Sequence, residues 1–176
     1  AMVEAVAQRL ARAHATAPAG PQVARYGTWA IAYAWRENFQ QWRDFVGETI
    51  TPEQDALLRG YVGWFLRRRR ALLRQRAARE RVRECHGDLR SESVVVWPDG
   101  SVCIMDCIEF SRRLRYTDVA GDVAFLAMDL EFRGRPDLAD AFVRRYLEES
   151  GDHDLPAVLD FYRCYRAAVR GKVEGF

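Results

Sequence analysis

Two aspartates bracket the segment of this chain best equipped for chemistry. Residues 85–106 read Cys-His-Gly-Asp-Leu-Arg-Ser-Glu-Ser-Val-Val-Val-Trp-Pro-Asp-Gly-Ser-Val-Cys-Ile-Met-Asp, with Asp88 near one end and Asp106 at the other. Two converging carboxylates can hold a divalent cation, which takes oxygen ligands, and can activate a hydroxyl. For either task they must meet in space. Val94 to Trp97 are β-branched or aromatic and predict one strand, and Val102 to Met105 predict its partner. Between them Pro98-Asp99-Gly100 is turn chemistry: Pro presets φ, Asp bonds back to the chain and Gly accepts positive φ. The antiparallel return brings Asp106 back beside the loop that carries Asp88. Each carboxylate also has a plainer reading, Asp88 as a loop residue bonding its own backbone and Asp106 as the cap of a strand end.

The loop His86-Gly87-Asp88-Leu89-Arg90-Ser91-Glu92-Ser93 followed by a hairpin and Asp106 resembles the catalytic apparatus of protein kinases and their relatives. His-Gly-Asp in place of His-Arg-Asp is similar to the aminoglycoside phosphotransferase family of small-molecule kinases. Met105-Asp106-Cys107-Ile108-Glu109-Phe110 and the stretch from Arg115 to Leu130 resemble a bacterial branch of that family, in which the kinase-like domain is often fused to a separate P-loop ATP-binding domain. The resemblance is specific from about residue 84 to residue 150 and weaker through the helices on either side.

The resemblance implies a mainly α (α+β) fold: the helical C-lobe of a protein-kinase-like fold, with one short β-hairpin carrying the catalytic loop. It implies transfer of the γ-phosphoryl of ATP or GTP to a hydroxyl on a small molecule or amino sugar. Asp88 would accept or orient the hydroxyl proton, and Asp106 and Ser93 would hold Mg²⁺ against the nucleotide phosphates. His86 would aim the loop rather than react, and Asp118 and Asp122, read as opening a helix, would supply at least one bond to it. Glu109 and Asp129 are the carboxylates that could touch a cationic substrate. Two positions depart from the family pattern: Ser93 stands where Asn is usual and Arg90 where His is usual.

The chain has a single lysine, Lys172, and no Gly-x-Gly-x-x-Gly, so the phosphate-covering loop and its lysine are not encoded in these residues. Residues 1–176 are therefore read as one domain, the C-terminal lobe, with the nucleotide-clamping lobe expected in cis in a longer protein. Ala1-Met2 reads as a vector remnant and a start codon. Apolar surface near Tyr26 to Trp35 is expected where the other lobe would dock, and a fragment exposing it should dimerise.

The length suits one core, and no apolar run is long enough to span a bilayer. With no evident signal peptide, the protein is placed in the cytoplasm. The four cysteines, Cys85, Cys103, Cys107 and Cys164, form no C-x-x-C and read as reduced core residues. His14, His86 and His153 lie far apart in sequence, which argues against zinc. Arginines dominate residues 67–83, but they lie all round a predicted helix and the net charge is only +2, so a solvated face is read in preference to a nucleic-acid or other polyanion surface.

Helical spacing predicts helices over 3–15, 36–46, from Thr51 (an N-cap with Gln54 three residues on) to about Arg81, 118–132, 136–151 and 156–173, with 26–35 left open. Two other readings compete: a non-catalytic kinase-like module that binds a ligand or partner, favoured by Ser93 and Arg90, and a polyanion binder acting through the arginine-rich helix.

Overall fold

A computed structural model describes residues 2–175, apart from the side chains at positions 28, 174 and 175. The reading of Ala1 lies outside the described residues. Helices α1 (Met2–Thr16), α2 (Pro21–Gln41), α3 (Pro52–Arg68) and α4 (Arg70–Ala78) precede strands β1 (Val82–Glu84), β2 (Val94–Val96) and β3 (Val102–Ile104). Then follow α5 (Arg112–Arg115), β4 (Tyr116–Asp118), α6 (Ala120–Phe132), α7 (Pro136–Ser150) and α8 (Pro156–Gly175). This is the expected helix-rich lobe.

Helix α6 is the spine because its sequence is apolar nearly all round, and such a helix must be buried. Residues from Ala120 to Ala127 are all buried, and α7 and α8 pack along it, with α1 laid on α7. Helix α1 offers Val6, Ala7, Leu10, Ala11 and His14 to the core, a stripe of helical spacing that ends in an imidazole. At α3, Thr51 and Gln54 form the expected reciprocal cap: Gln54 N donates to Thr51 Oγ1 at 3.2 Å and Thr51 N to Gln54 Oε1 at 2.9 Å.

Four boundaries differ from the sequence reading. Residues 26–35 are helical and belong with 36–41 to one helix, because Val23, Gly27, Ile31 and Trp35 recur every fourth residue on its buried face. That helix stops at Gln41; Phe45 closes a short 3₁₀ turn and Val46 bridges to Ile50. The helix expected to reach Arg81 is broken at Arg69 and finishes at Ala78. Asp118 ends a strand instead of starting a helix, and β4 pairs antiparallel with β1 in the register Val82↔Asp118, Glu84↔Tyr116. The expected single hairpin is thus joined by a second two-stranded sheet, whose strands are too short to show a period-2 pattern. Gly27 makes its docking possible: a Cβ there would lie 2.4 Å from Val82 Cγ2.

Arg76 departs from the solvated face expected of the arginine-rich segment. It is fully buried, and its guanidinium forks onto Asp118 at 2.7 and 2.7 Å and onto Asp152 at 2.8 and 2.8 Å. Arg67, Arg68, Arg69, Arg70 and Arg74 are exposed, as expected. Among the cysteines only Cys85 is buried; Cys103 and Cys107 are exposed, and Cys164 is half-buried. Cys103 faces outward because Val102 and Ile104, its neighbours along the strand, pack against the core. Among the described residues, no helix is long and apolar enough to cross a membrane.

Candidate active site

The hairpin forms in the register Val94↔Ile104, Val95↔Cys103, Val96↔Val102. Its turn closes as the residue types dictate: Trp97 N donates to Ser101 O at 2.9 Å, Asp99 Oδ1 accepts from Ser101 N at 2.9 Å, and Gly100 has φ 83°. Beyond the strands the pairing continues through Met105 N to Ser93 O at 2.9 Å, which leads the chain straight to Asp106.

One imidazole ties the two aspartates together. His86 Nε2 lies 2.7 Å from Met105 O, the carbonyl just before Asp106, and His86 Nδ1 lies 3.3 Å from Asp88 N. A neutral ring satisfies both at once by donating from Nε2 and accepting at Nδ1. His86 O in turn accepts from Ile108 N at 3.0 Å. The ring is buried and spans the loop.

The loop is fixed from beneath as well. Asp122 accepts from His86 N at 2.7 Å and from Gly87 N at 2.9 Å. Behind it, His14 Nε2 lies 3.2 Å from Asp122 Oδ2, and His14 Nδ1 lies 2.7 Å from the Tyr146 hydroxyl. Burial alone pushes the Asp122 carboxyl up; its hydrogen bond with His14, the Arg166 charge and the Gly87 N–H outweigh this and hold it below the usual range. Gly87 is required twice over: its φ is 86°, and a Cβ would sit 3.0 Å from Leu114 O. Leu89, fully buried, pins the following residue.

The two carboxylates emerge from this frame into solvent. Asp88 is 41% exposed and Asp106 is exposed. Asp106 holds φ 64°, a left-handed conformation that Asp tolerates better than most residues. Such strain persists only where the surroundings over-determine it, and it clusters at functional sites. Ser93 is buried and its hydroxyl donates, at 3.4 Å, to Asp88 O, which leaves its oxygen lone pairs free. A Ser hydroxyl and an Asp carboxylate are both oxygen donors of the kind Mg²⁺ accepts. Arg90 reaches toward Asp88, with Nη2 3.7 Å from Oδ2, and bonds Glu92 at 2.8 Å.

Of the other residues singled out, Asp122 binds the loop as expected, while Asp118 turns away to Arg76 and to Ala120 N. Asp129 is not open to a substrate. It is buried under the turn at Ser91–Ser93, accepts from Ser91 N at 2.9 Å and from the Ser91 hydroxyl, and pairs with Arg133 at 3.2 Å. Glu109 is exposed on the segment after Asp106. His14, Cys85 and Asp122 bring ligand-type atoms within 4.8 Å of one another. All three are already engaged, Cys85 through its thiol to Thr117 O and with burial pushing that thiol up, so the group is structural. Sequence reading missed His14 as a support; its only signal was an imidazole ending an apolar stripe.

The model of the phosphotransferase enzyme family matches residues 1–162. An uncharacterized protein of Mycobacterium bovis and one of Mycobacterium tuberculosis are each 36% identical over 173 residues, covering 98% of this chain. The chain spans about a third of the length of these relatives, 34%. No solved structure matches it.

Proposed function

This chain belongs to the phosphotransferase enzyme family, aminoglycoside phosphotransferase-like, and from that premise we propose that it is the catalytic lobe of a small-molecule kinase. The reaction is transfer of the γ-phosphoryl of ATP or GTP to a hydroxyl of a small molecule such as an amino sugar. The acceptor oxygen forms a bond to the γ-phosphorus, the bond to the bridging β–γ oxygen breaks, and the nucleoside diphosphate leaves. Asp88 orients the hydroxyl and takes its proton on a carboxylate oxygen. Asp106 and Ser93 are the residues that would hold Mg²⁺, which when bound neutralises the phosphate charge. The observation that carries the reading is the His86 bridge, which sets Asp88 and Asp106 in a fixed relation through a single ring. The same reading takes the phosphate-clamping lobe, a P-loop partner domain and a cytoplasmic location as properties of a longer protein.

Transfer of labelled phosphate from ATP and from GTP to a panel of aminoglycosides and sugars, with the full-length protein, tests it. Asp88→Asn keeps shape but loses the proton-accepting charge, and the rate is expected to fall about 10²-fold or more. Unchanged transfer in that variant would remove the loop from the mechanism. A second reading, a non-catalytic ligand-binding module, draws on Arg90 standing beside Asp88 and on the Ser93 hydroxyl bonded to the loop backbone. It is favoured if the wild type is inactive on every acceptor.

A further inference from the structure

Helix α2, α5 and β4 enclose an open hollow of about 510 Å³ lined by Arg25, Tyr26, Trp29, Arg112 and Tyr116. We propose that it is a binding subsite for a small molecule carrying a flat ring and an anionic group, phosphate or carboxylate. Resting on the phosphotransferase reading, that molecule is the acceptor.

Three observations converge on this. Trp29 is 55% exposed yet held firmly: Tyr33 stacks on it at 5.3 Å, and Tyr26 meets it edge-on at 6.3 Å while also meeting Tyr116 at 5.2 Å. A rigid, half-open indole is a ready stacking surface. Second, Arg25 and Arg112 are exposed, and among the described residues neither has a carboxylate partner. Their near neighbours in the chain are paired, Arg113 with Glu37 and Arg115 with Glu84, so these two guanidiniums are the ones left open on this hollow. Two uncompensated guanidiniums on one hollow favour an anion, which they can grip by charge-assisted hydrogen bonds. Asp129, one of the two carboxylates considered for a cationic substrate, is buried and bonded to Ser91.

Third, the hollow is built from the continuations of both catalytic segments. Tyr116 pairs with Glu84, two residues before His86, and Cys85 N bonds Arg115 O at 2.8 Å. Helix α5, which carries Arg112, follows directly on the segment after Asp106 and sets Leu114 O against Gly87. The hollow is thus tied by backbone bonds to the strand that leads into the loop presenting Asp88.

The test is a titration read at the Trp29 indole N–H by NMR, assigned with Trp29→Phe. The probes are phenyl phosphate, benzoate, benzyl alcohol, benzylamine and inorganic phosphate. Phenyl phosphate or benzoate should shift the signal saturably, the stronger of the two identifying the anion. The double variant Arg25→Gln/Arg112→Gln should bind at least about tenfold more weakly with an unchanged melting temperature. Benzyl alcohol, which lacks the charge, and inorganic phosphate, which lacks the ring, should bind more weakly than the ring anions. Equal response to benzylamine, indifference to the double substitution, or a dimer that Trp29→Ala dissociates would overturn the subsite, the last because a second copy would cover the hollow. Asp88→Asn should bind the probes as the wild type does. If it does so but also retains full transfer, the kinase reading fails and the subsite stands. If it loses transfer while the wild type binds no ring anion, the subsite alone fails.

Discussion

Asp106 combines a charge the proposed metal site would need with a backbone angle few residues accept, and the two can be separated by substitution. Asn tolerates φ 64° nearly as well as Asp, so Asp106→Asn should fold with stability within about 0.5 kcal/mol of wild type. If the proposed function holds, it should lose Mg²⁺-supported nucleotide turnover in the full-length protein. Rates titrated against Mg²⁺, together with a melting curve, check both halves; a large drop in melting temperature would show that the carboxylate is a structural brace. Ser93→Asn should maintain or raise the rate, since an amide oxygen is the stronger donor, provided the buried pocket admits it. A fall in rate at saturating Mg²⁺ would mark Ser93 as a ligand suited to this site. Asp88 and Asp106 were legible in the sequence because a turn and two strands of β-branched residues fix where they go. Asp129 was not, because its partner Ser91 is separated from it by 38 positions and its burial depends on where α6 packs.

The elements around the site divide the same way. The hairpin and the capping box at Thr51 were readable, since local residue types determine both. The β1–β4 sheet was not: its pairing joins residues far apart in sequence, and what selects it is the buried ionic group beneath it. Arg76 of α4 meets Asp118 at the end of β4 and Asp152 just after α7, so one guanidinium fastens three elements. Burial works against the charge on Arg76, but hydrogen bonds and charge from the two aspartates keep its pKa above the ordinary value. Arg76→Met fills similar volume while leaving two buried carboxylates without a cation. It should destabilise by about 3–5 kcal/mol. The triple change Arg76→Met/Asp118→Asn/Asp152→Asn should recover part of that loss. Urea unfolding of the two variants decides the matter; a single variant close to wild type would mean that the aspartates find other partners.

At the scale of the whole molecule, the His86–Gly87 end of the loop is joined to the core through one anion, as its Ser91 end is through Asp129. Asp122 receives two loop amides on one side and His14 of α1 on the other, and its carboxyl is held below the ordinary range despite burial. A carboxyl whose pKa is lower folded than unfolded contributes stability that is fully present above the unfolded value, about 4. It loses that contribution as pH falls through the folded value. The protein should therefore show no loss from this group between neutrality and about pH 5, then weaken on further acidification. Asp122→Asn replaces one acceptor oxygen with donors facing an N–H and an imidazole, and should cost about 1–3 kcal/mol at pH 7. Because the variant has no carboxylate to protonate, it should lose less than wild type between pH 5 and pH 3. Urea titrations at the three pH values give both quantities. Parallel acid losses in the two proteins would mean that Asp122 is not depressed, and that the loop is held by the shape of its bonds alone.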